Sequence, residues 1–203
     1  FEAVTYPGAL GEYYGFPPSK RYVFSSPPNY RVESTEFSPL ASFARGGLAE
    51  AWTGGVYPFN KDELRDFPVD YSHMQACYSE VAERIGISGM RDDLAEFMPM
   101  HDHILTPLNL DDHSMDLLRK YERKRNLFRS RLNCVMGRAR LATISQDWKH
   151  RKACSYRGRC LWGCPRDSFY TPSLTLEECK RYESFRYTPG LYVSHFRIGK
   201  DGR

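Results

Sequence analysis

The sequence predicts an α+β fold from three observations. Two segments, 70–86 and 112–129, repeat apolar residues with the period of an amphipathic helix. Residues 185–198 are rich in aromatic and β-branched side chains around a Pro189-Gly190 turn, which is typical of strands. Residues 1–44 are rich in Pro, Tyr, Ser and Gly and hold neither period, so we expect extended segments and loops there.

The first helix is predicted by both of its ends and by one apolar face. Asp70 can cap the N-terminus, and Gly86 occupies the place of a C-terminal cap. Five side chains fall on the face between these ends, namely Met74, Cys77, Tyr78, Val81 and Ile85.

Two further helices are predicted downstream. One begins near Asp112 or Ser114, with an apolar stripe of Met115, Leu118, Tyr121 and Phe128 and with basic residues on its remaining, solvated surface. The other begins at the capping box Thr175-Leu-Glu-Glu178, with Leu174 and Cys179 as its hydrophobic staple. Residues 138–148 are expected to form a short strand or helix, and Asp201-Gly202 is a hairpin turn signal.

Composition excludes several classes of protein. The chain has 203 residues, enough for one large domain or two small ones, and 41% hydrophobic residues suit a globular core. A net charge of +4 gives no reason to expect nucleic acid as a partner. No apolar stretch approaches the roughly 18 residues of a membrane-spanning helix. The six cysteines do not suit a secreted disulfide framework, because three are crowded into one loop.

That crowded loop is the most informative motif of the chain. Cys154, Cys160 and Cys164 are separated by five and three residues, and Pro165 follows directly. Thiols with short spacers hold soft metals, and a final Cys-Pro is a recurrent ending of iron–sulfur binding runs. The spacing excludes a zinc ribbon of paired knuckles. A zinc site completed by His150, three ordinary thiols, and a disulfide with one free thiol all stay open.

A second motif precedes the first helix. Residues 45–55 contain two glycine pairs, Gly46-Gly47 and Gly54-Gly55, on either side of Trp52. Such a run is either an ordinary glycine-rich turn or a loop whose backbone passes close to a flat or anionic cofactor.

Taken together, these segments resemble the glucose–methanol–choline family of flavin-dependent oxidoreductases from about Phe43 onward. The combination in this order is more specific than any single piece, and it is most similar to the bacterial branch that acts on sugars and polyols. The segments on which the resemblance rests are residues 46–55, 67–71, 81–89, 137–141 and 158–165.

The resemblance implies an α/β Rossmann-like flavoprotein with a helical insert. Within it, 1–60 would be a flavin-contacting extended segment with the glycine-rich loop, and 61–150 the helical segment. The cysteine loop would be 151–170, and 171–203 the helix and strands of the FAD domain. The residues implied to contact FAD are Gly46, Gly47, Trp52, Thr53, Gly54, Gly55 and Val193, the last at the adenine end.

The resemblance also implies how FAD and a cluster are held. Relatives that attach the flavin covalently use a His where this chain has Ala51, so non-covalent FAD is expected. Some members of the sugar-oxidising branch carry a 3Fe-4S cluster on three cysteines, and Cys154, Cys160 and Cys164 match that site.

The family's N-terminal dinucleotide fingerprint and its C-terminal catalytic His have no counterpart in this sequence. The chain is therefore expected to be an internal piece that needs the remainder of the same enzyme, binds FAD poorly alone and catalyses nothing alone. The complete enzyme would oxidise CH–OH groups of a sugar or polyol and pass electrons to a haem-containing or quinone acceptor. The alternatives are a zinc-stabilised or thiol-containing binding module, and a flavoprotein that has lost its cluster.

Overall fold

A computed structural model describes residues 17–27, 30, 33, 35–36, 40–197 and 199. Four α-helices lie within these residues: α1 (Tyr71–Ile85), α2 (Asp112–Arg123), α3 (Arg125–Leu132) and α4 (Pro172–Cys179). Two strands, β1 (Ile87–Ser88) and β2 (Ile104–Leu105), pair in parallel. Short 3-10 helices cover Pro18–Phe24, Gly47–Glu50, Asp93–Glu96 and Cys160–Trp162. None of the helices in this described part has the length and apolar character to cross a membrane.

The core is built around β1, which is paired on both sides. β2 lies along one side, and Leu141 on the other exchanges backbone hydrogen bonds with Ser88 at 2.9 and 3.0 Å. Leu141 also forms a bridge with Gly55, and Thr143 forms one with Phe169. Residues 138–148 therefore form isolated β-bridges rather than a continuous strand or helix. These bridges join the middle of the chain to the glycine-rich loop and to the end of the cysteine loop. The apolar side chains buried in the described residues are Val23, Leu64, Ala82, Ile87, Leu105, Tyr121, Ala142, Ile144 and Phe169.

Helix α1 confirms both predicted ends. The Asp70 carboxylate accepts a hydrogen bond from the Ser72 N–H at 2.7 Å, and Gly86 ends the helix with a φ of 72°. A Cβ on Gly86 would lie 2.4 Å from Ile144 Cγ2, so the cap also allows close packing on the core. The predicted apolar face is only partly buried, because Val81 is exposed and the neighbouring Ala82 is buried instead.

The second predicted helix is divided into α2 and α3 at Lys124. Asp111 caps α2 by accepting from the Ser114 N–H at 3.0 Å. Tyr121 is buried, and its hydroxyl donates to Asp93 at 2.6 Å. Arg129 also pairs with an acidic residue of the 93–96 turn, so part of the basic surface is neutralised by a contact that the local sequence does not predict.

The predicted start of the last helix was wrong. Helix α4 begins at Pro172, with Thr171 at the N-cap, so Thr175 lies inside the helix rather than at its end. The physical reason is a partner from far upstream, since Glu50 accepts hydrogen bonds from the backbone N–H and the hydroxyl of Ser173, both at 2.7 Å. The Pro at the first helical position supports the same start.

The predicted C-terminal strands were also wrong for the described residues. Residues 185–187 and 191–197 are not strands, and their side chains include Val193 at 69% exposed and Phe196 at 91%. A strand needs a neighbouring strand for its backbone groups, and none of the described segments pairs with these residues. Ile198, the Asp201-Gly202 turn and most of 1–39 lie outside the described residues. The described part mixes helix with a small sheet, and the Rossmann-like layer stays a prediction.

Candidate functional site

The cysteine loop is closed at its base by backbone pairing. The Cys154 N–H donates to Ile144 O at 3.0 Å, and the Lys152 N–H donates to Arg166 O at 3.1 Å. Cys154 and Cys164 are half-buried near the two ends of the loop, whereas Cys160 is exposed at the start of the 3-10 helix Cys160–Trp162. The loop is thus attached to the core at both ends and exposes its middle.

Backbone N–H groups turn toward two of the three sulfurs. Tyr156 adopts a left-handed φ of 55°, which is unusual for a bulky side chain, and its N–H donates to Cys154 Sγ at 3.4 Å. The Tyr156 hydroxyl accepts from the Asn109 N–H at 3.0 Å, which holds this conformation. Strained backbone of this kind concentrates at functional sites.

The second sulfur to receive N–H groups is that of Cys164. Burial acts to raise the pKa of the Cys164 thiol, but the nearby N–H groups of Phe169, Arg166 and Ser168 outweigh it and lower the pKa. These donors favour the thiolate form, which is the form that binds metals.

The three thiols influence one another without forming a closed ligand set. Burial raises the pKa of Cys160, and the charges of Cys154 and Cys164 raise it further. All six cysteines are unpaired. In the part of the chain that the structure describes, no group of three or more His, Cys, Asp or Glu side chains is arranged to hold a metal ion. His150 is exposed. The donor atoms and their N–H partners therefore suit a soft metal or an iron–sulfur cluster, and binding would require the sulfurs to converge further.

A buried arginine supports the end of the loop. Arg151 is 4% exposed, and its guanidinium donates to three backbone carbonyls: Asp167 O at 2.7 Å, Ser168 O at 3.1 Å and Ile85 O at the end of α1. Burial lowers its pKa, and the nearby charge of Asp167, followed by those of Tyr170, Cys164 and Glu178, acts in the opposite direction. Within the described residues Arg151 has no salt bridge to a carboxylate, and its charge is compensated by the three carbonyls and by the more distant charges of Asp167 and Glu178.

The net positive charge of the loop also favours a bound anionic group. From position 149 to 166 the chain has six basic residues and no Asp or Glu: Lys149, Arg151, Lys152, Arg157, Arg159 and Arg166. An anionic group bound by three thiolates would be stabilised by such surroundings. This signal is visible in the sequence, in the residues that surround the cysteines rather than in the cysteines themselves.

The glycine-rich loop contacts the end of the cysteine loop. Trp52 Nε1–H donates to Tyr170 O at 2.9 Å, and Ala142 N–H donates to Gly54 O at 2.8 Å. A Cβ on Gly54 would lie 2.5 Å from Phe169 Cε2. The chain's own packing thus accounts for Gly54, and the two sequence motifs are adjacent in the fold.

The buried carboxylate of Glu50 makes a further link. It is 4% exposed and receives the two hydrogen bonds from Ser173 at the start of α4. A Cβ on Gly46 would lie 2.4 Å from Glu50 Oε1, so packing accounts for this glycine as well. Nothing lies within 4 Å of the corresponding point on Gly47.

An open groove of about 550 Å³ lies beside the first glycine pair. Gly46 and Arg45 form part of one wall, helix α4 contributes Cys179, and residues 187–191 form another side. The groove brings Gly46 close to the segment that leads to Val193. Of the seven predicted flavin contacts only Gly46 lines this groove, and the other six are Gly47, Trp52, Thr53, Gly54, Gly55 and Val193.

Comparison of the chain with protein-family models, with curated proteins and with solved structures finds no match.

Proposed function

We propose that the cysteine loop binds a 3Fe-4S cluster through Cys154, Cys160 and Cys164. The observation that carries this proposal is the backbone of Tyr156, which directs its N–H at Cys154 Sγ at 3.4 Å, and the lowered pKa of Cys164 supports it. Hydrogen bonds to ligand sulfurs are one of the means by which proteins set the potential of such clusters. The six cations and absent acids between positions 149 and 166 favour the same anionic group.

We further propose that the chain belongs to an FAD-dependent oxidoreductase that oxidises CH–OH groups of a sugar or polyol. Bound FAD would accept the hydride, and the cluster would pass electrons singly to a haem-containing or quinone acceptor. Support comes from the resemblance of the ordered motifs and from the contact between Trp52 and Tyr170. Part of a non-covalent flavin would lie in the open groove beside Gly46, whose volume is about 550 Å³.

The cluster is tested by its metal content. The chain is reconstituted anaerobically with iron and sulfide, and bound iron, bound sulfide and the electron paramagnetic resonance signal are measured. We expect iron and sulfide in the ratio of a 3Fe-4S cluster, and we expect Cys160→Ser to lower the iron content severalfold. Cys77→Ser is the matched control, because both thiols are exposed and Cys77 lies outside the loop on α1. Stoichiometric zinc with no bound iron would instead favour the zinc-stabilised binding module.

The flavin is tested separately on the natural protein purified without added cofactor. We expect FAD to appear in the supernatant after acid precipitation, because Ala51 offers no side chain for covalent attachment. If the protein contains iron but no flavin, it would be an electron carrier, and the proposed oxidoreductase activity would be wrong. Flavin without iron would favour a flavoprotein that has lost its cluster.

A further inference from the structure

The exposed middle of the cysteine loop carries a face of two cations and two aromatic rings. We call this the basic aromatic face, and it consists of Tyr156, Arg157, Arg159 and Trp162. Tyr156 is 52% exposed and Trp162 is 46% exposed, and both arginines are exposed. All four residues lie within seven positions of the chain and surround the exposed Cys160.

The two arginines of this face are not neutralised by the described part of the protein. Two other cations of the loop are held by partners, since Lys152 pairs with Asp147 at 2.8 Å and Arg166 donates to Ala153 O at 3.0 Å. Neither Arg157 nor Arg159 has an ion pair with a described residue. Their charges are therefore available to a partner.

The face is also held in place before any partner binds. The Tyr156 hydroxyl accepts from the Asn109 N–H at 3.0 Å, which fixes one aromatic ring. Trp162 lies in a 3-10 helix whose turn is closed by hydrogen bonds to Arg159 O and Cys160 O. Preorganised side chains reduce the entropy that association costs.

We propose that the basic aromatic face is a docking surface for an acidic protein. Arg, Trp and Tyr are the residue types that contribute most at protein interfaces, and opposite charge guides the partner onto the surface. Nucleic acid is the less suitable occupant, because electrostatic binding to phosphates scales with the number of contacts and this face offers only two arginines. The proposal rests on the charge and exposure of four residues and does not need the proposed cluster.

The test measures association with a defined acidic probe. Dye-labelled poly-L-glutamate is titrated with the metal-free chain at low ionic strength, and binding is followed by fluorescence anisotropy. We expect the double variant Arg157→Glu/Arg159→Glu to lower the affinity by about tenfold or more, because two attractive contacts become repulsive. Trp162→Ala should lower it severalfold, and added salt should weaken wild-type binding because it screens exposed charges.

The matched control reverses two exposed arginines elsewhere. Arg119→Glu/Arg131→Glu makes the same change in net charge on α2 and α3, and neither residue has an ion pair with a described side chain. We expect the control to keep its affinity within about twofold, since these charges lie outside the face. Equal losses in both double variants would overturn the proposal, as would tighter binding of a thymidine oligonucleotide of equal charge. Circular dichroism confirms that each variant is folded.

Discussion

Replacing Arg151 with lysine should weaken the fold and loosen the end of the cysteine loop. The guanidinium donates to carbonyls on two separate segments, Ile85 at the end of α1 and the pair Asp167 and Ser168 after the last cysteine. Lysine keeps the positive charge, but its ammonium is a single point and does not reproduce the planar fork of donors. The substitution therefore removes hydrogen bonds while leaving the buried charge in place.

The expected loss follows from the number of bonds. A hydrogen bond to a charged group contributes about 1.5–3 kcal/mol, and a lysine placed at one segment loses contact with the other. Loss of two of the three bonds at the lower figure gives about 3 kcal/mol. Because whole domains are stable by only about 5–15 kcal/mol, a change of this size is easily resolved by urea unfolding.

Arg140 provides the matched control. It is 2% exposed and, like Arg151, donates to two backbone carbonyls, those of Pro99 and Met98. Arg140→Lys should also destabilise, by about 1.5–3 kcal/mol for one lost bond. Only Arg151→Lys should increase hydrogen exchange in residues 164–169, because only Arg151 contacts that segment. A loss below about 1 kcal/mol for Arg151→Lys, or equal exchange in the two variants, would refute this account of the loop.

Three further predictions concern the supports of the site. Gly54→Ala should cost more stability in urea unfolding than Gly158→Ala, about 3 against about 1 kcal/mol, because both have positive φ but only the first meets Phe169. Glu50→Gln should lower stability by about 1–2 kcal/mol, since a neutral acceptor replaces a carboxylate at a helix N-terminus; an unchanged unfolding midpoint would contradict this. The pKa of Asp70 lies below its ordinary value of 3.8, so its cap stabilises above that pH and is lost as pH falls below it. Asp70→Asn should keep the helical circular dichroism at neutral pH and lose less of it in acid, whereas identical acid profiles would count against the cap.

The sequence was sufficient where the signals are local. Asp70 and Gly86 end α1 through contacts within a few residues, so spacing alone located both ends. The Asp111 cap of α2 is local in the same way, and the helix begins at Asp112, one of the two predicted starts. Such caps depend on one side chain and the adjacent backbone, which a single sequence contains in full.

Long-range contacts explain what the sequence did not predict. The start of α4 depends on Glu50, which lies 123 residues before Ser173. The break at Lys124 accompanies ion pairs that α3 makes with Asp93, more than thirty residues upstream. No local pattern contains either partner, so a capping box and an unbroken helix were the natural expectations.

The candidate site likewise has features that the local sequence predicts and features that depend on long-range contacts. The spacing of Cys154, Cys160 and Cys164 could be found in the sequence, and so could the surrounding cations. The carbonyl partners of Arg151 and the left-handed backbone of Tyr156 could not, because both depend on how separate segments meet.

The position of Arg151 gives the strongest physical reason to expect a ligand in this loop. A buried cation without a carboxylate partner is unfavourable, and three carbonyls with the end of a helix offset only part of that cost. The charges of Asp167 and Glu178 offset a further part, and thiolates that bind a metal or a cluster would add negative charge close by at Cys164. The N–H groups directed at Cys154 and Cys164 favour the same negative state. Folding and ligand binding should therefore reinforce each other, with Arg151 as the residue that couples them.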